Sequence, residues 1–223
     1  MERLISFDTK SALELALAER IAAILNETLA LKGQASLLLS GGSTPKQLYQ
    51  QLSTFDIDWA NVHVGLVDER FVDQENAASN EKLIRTHLMI GKASQAKFHS
   101  MVFDASNYEQ NLTLALPENE LFRTTDVIIL GMGDDGHTAS LFPGDARSEE
   151  ATFSSELMAN TTAPNEPTRR ITFCGPILQQ GKHLFLMITG AKKLEVLAES
   201  QDKKYPIHHF IPFIEGIYYT ENA

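Results

Sequence analysis

One stretch constrains this chain more than any other: Asp126-Val-Ile-Ile-Leu-Gly-Met-Gly-Asp-Asp-Gly-His-Thr-Ala-Ser-Leu-Phe-Pro-Gly144. Val127 to Leu130, with Met132 just beyond, is short, apolar and mostly branched, which suits a central strand of a parallel sheet covered on both faces. Gly131, Gly133 and Gly136 then allow a tight turn and leave backbone N–H groups uncovered. His137 is carried to the position beyond the carboxyl end of a strand, where open α/β sheets place their chemistry.

The rest of the chain repeats the same grammar. Strands are expected at Arg3–Phe7, Ala35–Leu39, Val62–Val67 and Leu184–Ile188, with a further β-like segment at Ile217–Tyr219. A helix is expected from about Ser11 to Leu31, with Leu13, Leu17, Ile21 and Ile24 on one face and Gly33 ending it. Further helices follow Pro45, which suits a first helical turn, and Ser79 or Asn80, either of which can cap. Amphipathic segments at about Tyr108–Ala115 and Lys192–Leu197 add two more. Strand and helix alternate with crossovers long enough for parallel pairing. The expected fold is therefore α/β: one three-layer, Rossmann-like domain over residues 1–223, its mostly parallel sheet carrying helices on both faces.

Composition narrows the partners. Nineteen basic residues against twenty-nine acidic ones give a formal charge of −10, which disfavours nucleic acid and anionic membranes. The lone Cys174 excludes an internal disulfide and a cysteine-rich metal site. No signal-peptide pattern opens the sequence and no apolar run approaches a membrane span, so the expected address is the cytoplasm, as a monomer or weak homodimer.

Three loops hold candidate ligand contacts. Ser40-Gly-Gly-Ser-Thr-Pro45 joins a strand to a helix: Gly41 and Gly42 can expose successive N–H groups, and Ser43 and Thr44 add hydroxyls, a setting for phosphate or sugar oxygens. Thr189-Gly-Ala-Lys192 puts a lysine in a first helical turn, where it opposes the helix dipole unless an anion shares the site. Asp68-Glu69-Arg70 stands at another strand end, and Arg170 lies directly before an apolar stretch; an arginine can grip phosphate through two directed donors. His137 is a plausible general base, with Asp134 and Asp135 both close enough to orient it.

Several chemistries fit poorly. Gly131-Met-Gly133-Asp-Asp-Gly136 matches a dinucleotide-binding pattern, but Pro143-Gly144 interrupts the expected helix and two acids would face the pyrophosphate. No Gly-x-Ser-x-Gly elbow is present, so a covalent serine hydrolase is disfavoured. His208-His209 has no matching third ligand cluster, so no metal is expected.

Four blocks together resemble one family: Leu39-Ser-Gly-Gly-Ser-Thr-Pro45; Val67-Asp-Glu-Arg70 with Ser79-Asn80; Leu130 to Gly144; and Arg170-Ile-Thr172 with Thr189-Gly-Ala-Lys192. The chain is similar to the bacterial 6-phosphogluconolactonases, within the wider glucosamine-6-phosphate isomerase/deaminase superfamily. The resemblance implies that His137 is the general base and that Arg170 and Lys192 clamp a 6-phosphate. It also implies that the Ser43–Thr44 loop, Asp68 and Arg70 shape the sugar-phosphate pocket. Deaminases of the superfamily generally carry Phe-Asn-Glu-Pro after this histidine; here Ser140-Leu-Phe-Pro143 lacks the carboxylate, and Arg70 stands where they usually carry an aromatic. Both departures favour the lactonase branch. Cys174 replaces the second threonine usual after Arg170.

The implied reaction is hydrolysis of a small sugar-phosphate lactone by water activated at His137, with no metal or redox cofactor. The alternatives are amino-sugar phosphate isomerisation or deamination, and a sugar-phosphate-binding regulator without catalysis.

Overall fold

The computed structural model describes residues 3–222. In chain order the elements are β1 (Leu4–Ser6), α1 (Lys10–Lys32), β2 (Ala35–Leu39), α2 (Lys46–Leu52), β3 (Val62–Leu66), β4 (Asp68–Arg70) and α3 (Asn80–His87). They continue with β5 (Lys97–Phe98), α4 (Tyr108–Asn119), β6 (Val127–Leu130), α5 (Ala146–Phe153), β7 (Met158–Thr162) and β8 (Arg169–Phe173). The last are α6 (Gly175–Gln179), β9 (His183–Thr189), α7 (Ala191–Ala198) and β10 (Gly216–Thr220).

Local signals explain the boundaries. The Thr9 hydroxyl accepts from Ala12 N–H at 3.2 Å to start α1, and Gly33 closes it by donating to the Leu29 carbonyl at 2.8 Å. The buried stripe Leu13, Leu17, Ile21 and Ile24 is the one the spacing predicts. Pro45 lies one residue outside α2, as its N-cap, rather than in the first turn. Every residue of β2 and β6 is buried, which is why both read in the sequence as unbroken apolar runs.

Seven strands form one sheet in the order β1-β10-β9-β6-β2-β3-β5, every pairing parallel. From β1 through β2 and β3 to β5 the chain moves one way across the sheet; from β5 through β6 and β9 to β10 it returns. Right-handed crossovers place helices of the outward journey on one face and those of the return on the other. The packing agrees: α1 contacts α2 and α2 contacts α3, while α5 contacts α6. β2 and β6 are the neighbours from which the chain leaves in opposite directions, so the crevice opens beyond their carboxyl ends.

A feature absent from the sequence reading is a second, antiparallel sheet of β4, β8 and β7. It grows from the end of β3: Val67 donates to the Leu39 carbonyl at 2.9 Å and accepts from Phe173 N–H at 3.1 Å, linking the two sheets. Its register sets Asp68 opposite Thr172 and Arg70 opposite Arg170. No helix among the described residues is long and apolar enough to cross a membrane.

The end of the main sheet remote from the crevice is fastened by Asp126, just before β6. Its buried carboxylate accepts from the backbone and hydroxyl of Ser36, each at 3.0 Å, and from Lys32 and Lys182. Burial pushes this carboxyl up, but Lys32, Lys182 and Ser36 together pull it below the ordinary carboxylate range. A depressed folded-state pKa gives stability that is present above the unfolded value and lost as pH falls through the folded one. Asp126→Ala should therefore lower unfolding free energy by about 2 kcal/mol at neutral pH in urea titrations. The gap to wild type should close in acid, and equal stability at pH 7 would contradict this role.

Candidate active site

The carboxyl ends of β2, β4, β6 and β9, with the start of α7, surround a cavity of ≈ 270 Å³. Gly41, Gly42, Ser43, Thr44, Asp68, Arg70, His137 and Arg170 all line it, so residues scattered along the sequence meet at one place. Asp134, Asp135 and Lys192 do not line it.

The histidine is held by its own loop. Gly133 donates to the His137 carbonyl at 2.8 Å, and any β-carbon at Gly133 would fall 2.1 Å from the imidazole Nδ1. Close approach, rather than flexibility, therefore demands a glycine there. Asp135 Oδ1 lies 2.5 Å from His137 Nδ1 and also accepts from the His137 backbone N–H at 3.2 Å. Burial pushes the Asp135 carboxyl up, but the hydrogen bond and charge of His137 outweigh it, leaving the net shift downward. An ionised Asp135 fixes the tautomer with the proton on Nδ1, leaving Nε2 free to accept. The Phe142 ring packs 4.6 Å from the imidazole, centroid to centroid.

Between the two neighbouring acids, geometry decides. Asp134 turns away to Lys193, at 2.8 Å, and to Lys192, at 3.3 Å. These lysines hold its carboxyl below the usual range, Lys193 contributing most. Asp135, not Asp134, is the partner of His137.

The antiparallel sheet supplies the cations. Arg70 and Arg170 are directly opposed on β4 and β8, so their side chains leave the same face. The Arg70 Nη1 donates to the Ala78 carbonyl at 2.6 Å, and its Nε has no partner in the protein. Buried Arg170 spends only its Nε, on the Pro167 carbonyl at 2.8 Å, with its guanidinium 5.5 Å from the Phe142 ring centroid. Burial lowers the Arg170 pKa, opposed by Asp68 and reinforced by Arg70. Asp68 is itself engaged, accepting from the Ser140 hydroxyl at 2.5 Å, which ties the histidine loop to the second sheet.

One expected cation stands outside the lining, and its neighbour stands in it. Lys192 is 69% exposed and does not line the cavity; Lys193, 24% exposed, lines it and donates to the Met132 carbonyl at 2.7 Å. The reason is helical geometry: Lys193 lies three and four residues before Val196 and Leu197, the buried face of α7. That spacing was available in the sequence. Asn80, Ala139, Met187 and Ile188 also line the wall without having been singled out in the sequence, although the cap position of Asn80 was visible. Among the described residues no group of three or more His, Cys, Asp or Glu side chains is placed to hold a metal.

With this geometry established, the comparisons are specific. Residues 8–214 match the family described as glucosamine-6-phosphate isomerases/6-phosphogluconolactonase. The chain belongs to this family. A 6-phosphogluconolactonase of Rhizobium meliloti (strain 1021) is 42% identical over 200 residues, covering 87% of this chain and 85% of its own. One of Pseudomonas aeruginosa is 37% identical over 202 residues, with 87% and 85% covered. The crystal structure of a 6-phosphogluconolactonase from Shewanella baltica OS155 superposes with a TM-score of 0.92 at 37% identity, covering 99% of this chain and 97% of its own. The α/β architecture expected from the sequence is thus that of a solved relative.

Asp135→Asn should lower kcat for the lactone with little change in KM, because the amide no longer enforces a proton on Nδ1 and with it the acceptor at Nε2. An unchanged kcat in the folded variant would show that Asp135 does not act through His137.

Proposed function

We propose that the protein hydrolyses 6-phospho-D-glucono-1,5-lactone to 6-phospho-D-gluconate, with His137 as general base on water. The observation that carries this reading is the meeting, in one cavity, of an oriented imidazole and a directly opposed pair of arginines. Facing guanidinium groups repel, and an anion between them converts repulsion into attraction. An imidazole without an activated serine or cysteine beside it suits water as the nucleophile. The names of the relatives favour the same substrate.

In this mechanism Arg170, Arg70, Lys193 and the N–H groups of the Gly41–Thr44 loop hold the 6-phosphate. C1 of the lactone then sits beside His137. Nε2 takes a proton from water as the water oxygen bonds to C1, and the carbonyl electrons move onto oxygen. When the tetrahedral intermediate collapses, the bond from C1 to the ring oxygen breaks, and the imidazolium returns its proton to that oxygen. Asp135 supports the positive charge between the two transfers. Every atom is accounted for by water and lactone. We place the reaction in the oxidative pentose phosphate pathway, in the cytoplasm.

Freshly prepared lactone, with spontaneous hydrolysis subtracted, tests the proposal beside glucosamine 6-phosphate. The lactone should be turned over and the amino sugar left unchanged. His137→Asn should reduce kcat by about 10²–10⁴-fold while still binding 6-phosphogluconate. Near-normal turnover by a folded His137→Asn protein would remove the histidine from this role. Release of ammonia from glucosamine 6-phosphate, without lactone hydrolysis, would favour the deaminase reading.

A further inference from the structure

Asn80, first residue of α3, forms part of the cavity wall yet is only 2% exposed. Its backbone N–H donates to Glu69 Oε1 at 2.7 Å, and its side-chain Nδ2 donates to the Asp68 carbonyl at 2.9 Å. That second bond fixes the orientation of the amide, because a carbonyl requires a donor. Oδ1 is therefore directed elsewhere: it has no hydrogen-bond partner in the protein and lies against Gly41. A β-carbon on Gly41 would lie 1.8 Å from this oxygen. The backbone of Gly41 is not in the left-handed region, so its conformation alone would accept alanine. The Asn80 amide is what excludes a side chain at position 41.

Asn80 is itself firmly mounted. Both oxygens of the buried Glu69 carboxylate are occupied, by Arg70 N–H and Asn80 N–H on one and by the Ser79 hydroxyl and Glu81 N–H on the other. One carboxylate thus joins the strand that carries Asp68 and Arg70 to the start of α3. The Asn80 amide extends that joint to the Ser40–Pro45 loop.

We infer that Asn80 is a positioning residue: wedged between β4 and Gly41, it sets the distance between the loop's N–H groups and the arginine pair. The inference rests on the phosphate role proposed for that loop. The Nδ2 bond to the Asp68 carbonyl holds the amide in place, and its Oδ1 end, a buried acceptor with no donor in the protein, is left to act on Gly41 as a spacer. Anion binding at the loop should depend on how well Asn80 and Gly41 fit each other.

A double-mutant cycle tests this with wild type, Gly41→Ala, Asn80→Ala and the double variant. Calorimetry with inorganic phosphate gives affinity, and lactone kinetics give KM and kcat separately. Each single change should weaken phosphate and raise KM about tenfold, with the acidic limb of the pH–rate profile unmoved. The double variant should bind phosphate no worse than Asn80→Ala, because the alanine at position 41 occupies the space the amide vacated. If Asn80→Ala does not fold, Asn80→Ser takes its place. Losses that multiply in the double variant, or unchanged phosphate affinity in the Asn80 variant, would overturn the inference. Arg170→Ala separates the two levels. If it weakens phosphate while the cycle is additive, the wedge alone fails. If it leaves phosphate affinity intact while the cycle still couples in KM, the phosphate role fails and the wedge stands.

Discussion

Arg70 and Arg170 stand face to face on neighbouring antiparallel strands, and like charges in that register work against the sheet that carries them. Much of the surrounding structure manages this opposition. Asp68 supplies a neighbouring negative charge, the Ala78 and Pro167 carbonyls each take one guanidinium donor, and Phe142 lies beside Arg170. Both arginines line a cavity that also holds His137. The small second sheet is the device that creates the arrangement, since a parallel strand end could present one arginine but not two in register.

The remainder of the site is organised to keep charges separate. A chain of net charge −10 would repel an anion at long range, so its acids must be kept from the ligand. Asp134 is occupied by two lysines, Asp135 by His137, Asp68 by Ser140, and Glu69 by four donors behind the wall. Burial pushes the Glu69 carboxyl up to about 7, while the N–H groups of Asn80, Glu81 and Arg70 act against that rise. The proposed hydrolysis needs such separation: one cationic region for the phosphate and one neutral imidazole for water.

The parallel core was legible because fully buried strands such as Val127–Leu130 are written as apolar runs ending in glycine. The long first helix announced itself through its apolar spacing and Gly33. The second sheet was not legible: Asp68–Arg70 is three residues long and polar, and its partner strand is distant in sequence. Lys192 and Lys193 differ by about a quarter of a helical turn, and only the buried pair Val196 and Leu197 tells which one faces inward. Asp134 and Asp135 are equivalent as letters; the turn that presents Asp135 to Nδ1 separates them. Local pattern carried the scaffold, whereas the pairing of charges depended on register that no single segment contains.

The central claim is that the opposed arginines hold the phosphate that positions the lactone. The most direct measurement compares wild type with Arg170→Ala on 6-phosphogluconolactone and on the same lactone without its phosphate. The account predicts a loss in kcat/KM of about 10²-fold or more on the phosphorylated substrate and little change on the other. Equal losses on both would contradict it, because Arg170 would then be supporting the cavity wall rather than the phosphate.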